Sequence, residues 1–111
     1  MTGNEYQLLA ARTVSRDLKL REIELHALHG MVGEIGEIHS LYQKTYQGHG
    51  EVDDAHLMKE VGDLLWFTAE LITAKGWTIE EVMKLNIEKL RKRYPEGFDA
   101  EHSLNRAEGD I

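Results

Sequence analysis

Residues 30–38 read Gly30-Met31-Val32-Gly33-Glu34-Ile35-Gly36-Glu37-Ile38, and residues 60–66 read Glu60-Val61-Gly62-Asp63-Leu64-Leu65-Trp66. Each stretch holds two acids three residues apart in an otherwise apolar, glycine-containing pattern. A three-residue step turns a helix by about 300°, so both carboxylates of a doublet lie on one face, one turn apart. Two such helices packed together aim Glu34, Glu37, Glu60 and Asp63 at a common point. Carboxylates gathered in a small core repel and resist desolvation unless cations neutralise them, so the pattern asks for hard metal ions.

The flanking residues extend both stretches into helices. Ile23, Ala27, Leu28, Met31, Val32, Ile35, Ile38, Leu41 and Tyr42 follow three- and four-residue spacing and predict a long amphipathic helix from about Glu22 to Lys44. Leu57, Val61, Leu64, Leu65, Thr68, Leu71 and Ile72 predict another, capped by Asp53 or Asp54 and stopped by Gly76. Upstream, Thr2-x-x-Glu5 or Asn4 starts a first helix expected to run to about Leu20. Downstream, Thr78-x-x-Glu81 is a capping box for a helix that Pro95 ends. Thr45 to Asp54 reads as a loop, and the residues after Pro95 as a tail.

One domain over residues 1–111 is expected, with a helical core of about 4–94 and a less regular tail, 95–111. A single proline near the end leaves the rest free to be helical, and the fold class is all-α: a bundle of four to five helices. So short a chain is marginally stable alone, so association is plausible.

Charge and composition bound the function. The formal net charge is −7 and no long basic run is present, which argues against a nucleic-acid surface. No cysteine is present, which excludes disulfides and thiolate metal sites. Nothing at the start resembles a signal peptide and no stretch resembles a membrane span, so a cytoplasmic protein fits best.

A lone Glu-x-x-Glu is usually a solvated surface. Here Met31, Val32, Ile35 and Ile38 flank one doublet, and Val61, Leu64 and Leu65 the other, so the acids border the buried stripe. Gly30, Gly33 and Gly36 together cost a helix roughly 3 kcal/mol relative to alanine, which implies close approach of a helix or ligand; a break near Gly30 is the alternative. An all-oxygen site favours magnesium, with manganese a possible substitute, over zinc. A di-iron bundle requires Glu-x-x-His motifs, and no glutamate has histidine three residues later. His26 and His29, a turn apart, read as packed or hydrogen-bonded residues.

Asn86, Lys89 and Arg93 share one side of the last helix, with Tyr94 next. Lysine and arginine suit phosphate oxygens, although a basic helix end is also the ordinary complement of the macrodipole. Asparagine, a poor interior helix residue, tilts the balance toward a binding strip. Acids for metal and a strip for phosphate describe hydrolysis of a phosphoanhydride by metal-activated water, one carboxylate acting as general base. No P-loop is present.

Three blocks then resemble a known family: Gly30-x-x-Gly33-Glu34-x-Gly36-Glu37, Glu60-x-Gly62-Asp63-Leu64-Leu65-Trp66, and Asn86-x-x-Lys89-Leu90-x-x-Arg93-Tyr94-Pro95. Together they are similar to the MazG-like all-α nucleoside triphosphate pyrophosphohydrolases. The resemblance implies a helical protomer assembled as a homodimer or homotetramer, and hydrolysis of a (d)NTP to (d)NMP and pyrophosphate, as in nucleotide-pool house-cleaning. It also implies magnesium at Glu34, Glu37, Glu60 and Asp63, with Glu34 or Glu37 as catalytic base, and phosphate or sugar contacts from Asn86, Lys89, Arg93 and Tyr94. Trp66 is a candidate to stack on the nucleobase, or else a core residue; Tyr46 and Phe98 are weaker candidates. Phe98, Ser103 and Arg106 resemble the tail of short members, which packs over a neighbouring subunit in this reading. The alternative function is a catalytically weak, nucleotide-binding or regulatory bundle.

Overall fold

The computed structural model describes residues 1–111 and is entirely helical: α1 Gly3–Ala11, α2 Leu20–Thr45, α3 Asp54–Ala74, α4 Ile79–Arg93 and α5 Ala100–Leu104. Local chemistry places most of the ends. Thr2 and Glu5 close a capping box on α1, and Thr78 and Glu81 close another on α4. The Asp53 carboxylate accepts the His56 N–H at 3.2 Å to start α3, and Gly76 turns the chain out of α3 with φ of 77°.

The first helix stops at Ala11, well short of Leu20. Beyond it the side chains of Thr13 and Ser15 engage the backbone: the Thr13 hydroxyl donates to the Ala10 carbonyl at 2.8 Å, and Ser15 Oγ accepts the Asp17 N–H at 3.3 Å. Such bonds offer the chain an alternative to the helical ladder, so residues 12–19 become a turn. Helix α2, by contrast, runs unbroken through Gly30, Gly33 and Gly36.

Helices α2 and α3 form an antiparallel hairpin that carries the molecule. Its seam pairs His26 with Glu70, Gly30 with Phe67, and Glu34 and Glu37 with Glu60. A Cβ at Gly30 would lie 2.1 Å from the Phe67 ring, so glycine is what lets that ring lie against α2. Helix α1 crosses α3, and α4 rests on α1. Ala10, Ala69, Ile72 and Ile79 form the core there, with Tyr6 and Trp66 packed against it.

One buried side chain, Gln7, joins these pieces. Its amide donates to Thr73 Oγ1 at 3.0 Å and to the Trp77 carbonyl at 2.9 Å, and its oxygen accepts the Ile79 N–H at 2.7 Å.

The protomer is thin for its length. Only 7 of 111 residues are buried, and the accessible surface is 8758 Å² against about 6,200 Å² for a compact monomer of this mass. The radius of gyration is 17.4 Å, where about 13 Å is usual. Leu28, Val32, Ile35, Met58, Val61 and Leu65 are exposed along the hairpin. Apart from the adjoining residues and backbone of its own helix, no atom lies within 4 Å of where a side chain would begin at Gly33, Gly36 or Gly62. No helix is long and apolar enough to cross a membrane.

Candidate functional site

The hairpin end nearest the Tyr46–Asp53 loop gathers the acids. Carboxylate oxygens of Glu34, Glu37 and Glu60 lie within 4.8 Å of one another. Glu34 and Glu37 face α3 because three residues separate them on α2; Glu60 meets them from the first half of α3. Ionised carboxylates only accept hydrogen bonds, so with all three acids ionised Glu34 Oε2 and Glu60 Oε2 are buried without a donor. Like charges this close cannot all stay ionised unaided.

Their acidities record the crowding. Burial pushes the Glu34 carboxyl up to about 7, aided by a hydrogen bond with Glu60 and by the charges of Glu37, Asp63 and Glu60. Glu37 is also raised, first by its hydrogen bond to Glu60 and then by that residue's charge. Glu60 goes the other way, because protonated Glu37 and Glu34 donate to it and His56 adds a further partner. The cluster therefore holds protons that isolated glutamates would have released. A divalent cation fits this donor set: hard oxygens, converging, two of them buried and unsatisfied.

Asp63 stands one turn along α3 and is not part of the triad. Its charge still reaches Glu34 and Glu37, and also Tyr6, whose phenol is raised by burial and then by Asp63.

A cavity of about 210 Å³ opens beside the triad, lined by Glu37, Ser40, Leu41, Lys44, His56 and Glu60. His56 Nε2 is 3.1 Å from Glu60 Oε1. His56, Lys44 and Ser40 are neighbours that motif reading missed; the four-residue step from His56 to Glu60 was the available signal.

The basic strip lies elsewhere in the chain. Asn86 and Lys89 are exposed on α4, whose packing partner is α1, and no residue lines both the acidic cavity and the one beside Lys89 and Arg93. Arg93 is engaged by Asp110, and its guanidinium also sits 5.9 Å from the Tyr94 ring centroid. Tyr94 packs on Phe98, with ring centroids 5.3 Å apart. Residues 105–111 thus close on α4 of their own chain. Trp66 sits in the interhelical core, its indole N–H donating to Thr13 Oγ1 at 2.7 Å and its ring edge-to-face with Phe67.

The family model for the MazG nucleotide pyrophosphohydrolase domain matches residues 23–98. This chain belongs to that family. The MazG match takes in the hairpin from Ile23 onward, the acidic triad, Asp63 and the whole of α4, while α1, α5 and residues 105–111 fall outside it. Comparisons with curated proteins and with solved structures give no match.

Proposed function

We propose that the protein is a magnesium-dependent nucleotide pyrophosphohydrolase that cleaves a (d)NTP between the α and β phosphates, releasing (d)NMP and pyrophosphate, in a cytoplasmic house-cleaning role. The observation that carries this reading is the pair of buried, donorless oxygens on Glu34 and Glu60, converging with Glu37 in a MazG domain. Glu34, Glu37 and Glu60 would hold magnesium, or manganese in its place, and Asp63 would complete the set by a rotamer change or a second ion. Bound there, the cation supplies the charge that neutralises both the acids and the polyphosphate and acidifies the attacking water.

The chain's own groups do the rest. Glu37 is exposed and lines the acidic cavity, whereas Glu34 is more enclosed. That makes Glu37 the better placed base to take the proton from water. His56 holds Glu60 by its ring nitrogen and so fixes the carboxylate's direction. Asn86, Lys89, Arg93 and Tyr94 bind phosphate and sugar oxygens, and Lys89 and Arg93 balance charge on the leaving pyrophosphate.

Association belongs to the same reading. Two protomers together expose roughly 5,000 Å² beyond compact monomers, the scale of an obligate interface. The exposed stripe from Leu28 to Ile35, the open space over Gly33 and Gly36, and the separate linings of the acidic cavity and the one beside Lys89 and Arg93 fit a homodimer or homotetramer packed on the hairpin.

Incubation with a panel of single (d)NTPs and magnesium, with the products resolved by ion exchange, tests the chemistry. Monophosphate plus pyrophosphate is expected. Diphosphate plus orthophosphate would mean the wrong bond, and no turnover across the panel would leave a nucleotide-binding regulatory bundle as the better reading.

A further inference from the structure

Arg93 is the phosphate ligand with the most suitable shape, yet its fork is already filled. Arg93 Nε donates to Asp110 Oδ2 and Nη2 donates to Oδ1, both at 2.8 Å, the parallel two-bond geometry that guanidinium also offers to phosphate. The two side chains are only 10% and 13% exposed. Asp110 sits in a basic surround: Arg93 first, then Arg106 and Lys89, hold its carboxyl below the usual range. A cavity of about 570 Å³ adjoins the pair, lined by Lys89, Lys92, His102 and Arg106 and also by Glu88 and Glu108.

The segment that delivers Asp110 has little else to hold it. Gly109 takes a φ of 83°, and the Asp110 N–H bonds to the Ala107 carbonyl at 3.0 Å, a turn that points Asp110 back at α4. The flanking apolar residues Leu104 and Ile111 are 83% and 89% exposed, so no buried hydrophobic anchor fastens it. A segment tied by one ion pair beside Lys89, Lys92 and Arg106 is suited to exchange with a stronger anion.

We propose that residues 105–111 gate the phosphate strip: Asp110 occupies Arg93 as an internal stand-in for a phosphate, and an oligophosphate displaces it. The proposal rests on the assignment of Arg93 to phosphate binding made above. The closed state lowers the apparent affinity for substrate by the fraction of molecules that are open. It leaves the acidic triad, whose cavity shares no lining residue with this one, unchanged.

Two measurements test this. Asp110→Asn, compared with the wild type on a (d)NTP that the wild type hydrolyses, should lower KM up to about tenfold if roughly a tenth of molecules are open at rest, with kcat within about twofold. An unchanged or higher KM in a variant of normal helical circular dichroism would make the pair a structural staple and overturn the gate. Independently, hydrogen exchange at residues 105–111 of the wild type, with and without inorganic tripolyphosphate, needs no variant. Faster exchange on saturation is expected; unchanged or slower exchange rejects displacement. Should the wild type hydrolyse no nucleotide, the enzymatic reading falls while the tripolyphosphate experiment still decides the gate.

Discussion

The two charged regions of this protomer solve opposite problems. Where α2 and α3 meet near the loop, Glu34, Glu37 and Glu60 bring charges of one sign together and leave buried oxygens without donors. Where residues 105–111 meet α4, Arg93 and Asp110 bring opposite charges together and satisfy each other through two short bonds. The first arrangement is stable only with protons or a cation supplied from outside; the second is neutral on its own. An unsatisfied cluster therefore reads as a site awaiting a ligand, and a satisfied pair as one whose ligand is already supplied by the chain. The contrast explains why Arg93 is less accessible here than its sequence implies, while Asn86 and Lys89 stay exposed.

The strongest way to break this contrast is Glu60→Gln. Turnover should fall by about a hundredfold or more, equivalent to roughly 3 kcal/mol of transition-state stabilisation, while the metal-free protein gains no thermal stability, because Glu60 is the ionised acceptor for Glu37, Glu34 and His56. Asp63→Asn should show a smaller loss of turnover, since Asp63 stands off the triad. A Glu60→Gln enzyme with normal kinetics would mean the cluster is not the metal site.

A second test concerns the hairpin that presents the acids. Gly30→Ala forces a methyl into the Phe67 ring and should destabilise the protein by about 1–3 kcal/mol in chemical denaturation. Gly33→Ala meets nothing within the protomer. It should add up to about 1 kcal/mol of helix stability to a monomer but weaken self-association in sedimentation if a second copy packs there. Equal effects at both glycines would remove the argument for a partner on that face.

The smallest expected effect is on pH dependence. Glu34 is raised from 4.5 to about 7, so in that window the folded state keeps a proton that the unfolded chain has lost. Metal-free stability should fall as pH rises through the window; raised Glu37 adds the same sign, and lowered Glu60 contributes only on the acid side of its ordinary range. Magnesium should flatten the profile measured by thermal melts, because a cation replaces the protons. A metal-free protein that gained stability from pH 5 to 7 would contradict the crowding.

What could be read from the sequence was what is local. The capping boxes at Thr2 and Thr78, the Asp53 cap and the turn at Gly76 depend on residues within one turn of each other, so spacing alone places them. The convergence of Glu34, Glu37 and Glu60 follows from helical periodicity on two helices. The end of α1 was missed because Thr13 and Ser15 side-chain bonds compete with a helix that composition alone would extend. The Arg93–Asp110 bond spans 17 residues with no repeating pattern to announce it. Gly30 could be read as a close approach, but only the fold identifies Phe67 as the neighbour.

Gln7 has a consequence for the order in which the chain assembles. Its three bonds join residues 66, 70 and 72 positions apart and tie Gln7, outside the matched domain, to three residues within it. Closing so long a loop carries a chain-entropy penalty before any contact rewards it, so this amide should join late. The α2–α3 hairpin, whose turn is short, can form first and offer α3 to α1, while the Gln7 bonds close only after the corner leading into α4 exists. During synthesis Gln7 would therefore leave the ribosome early and wait for its full set of partners until residue 79 had emerged. Mutations at Gln7 should then speed unfolding while barely slowing folding, the kinetic signature of a latch rather than of a nucleus.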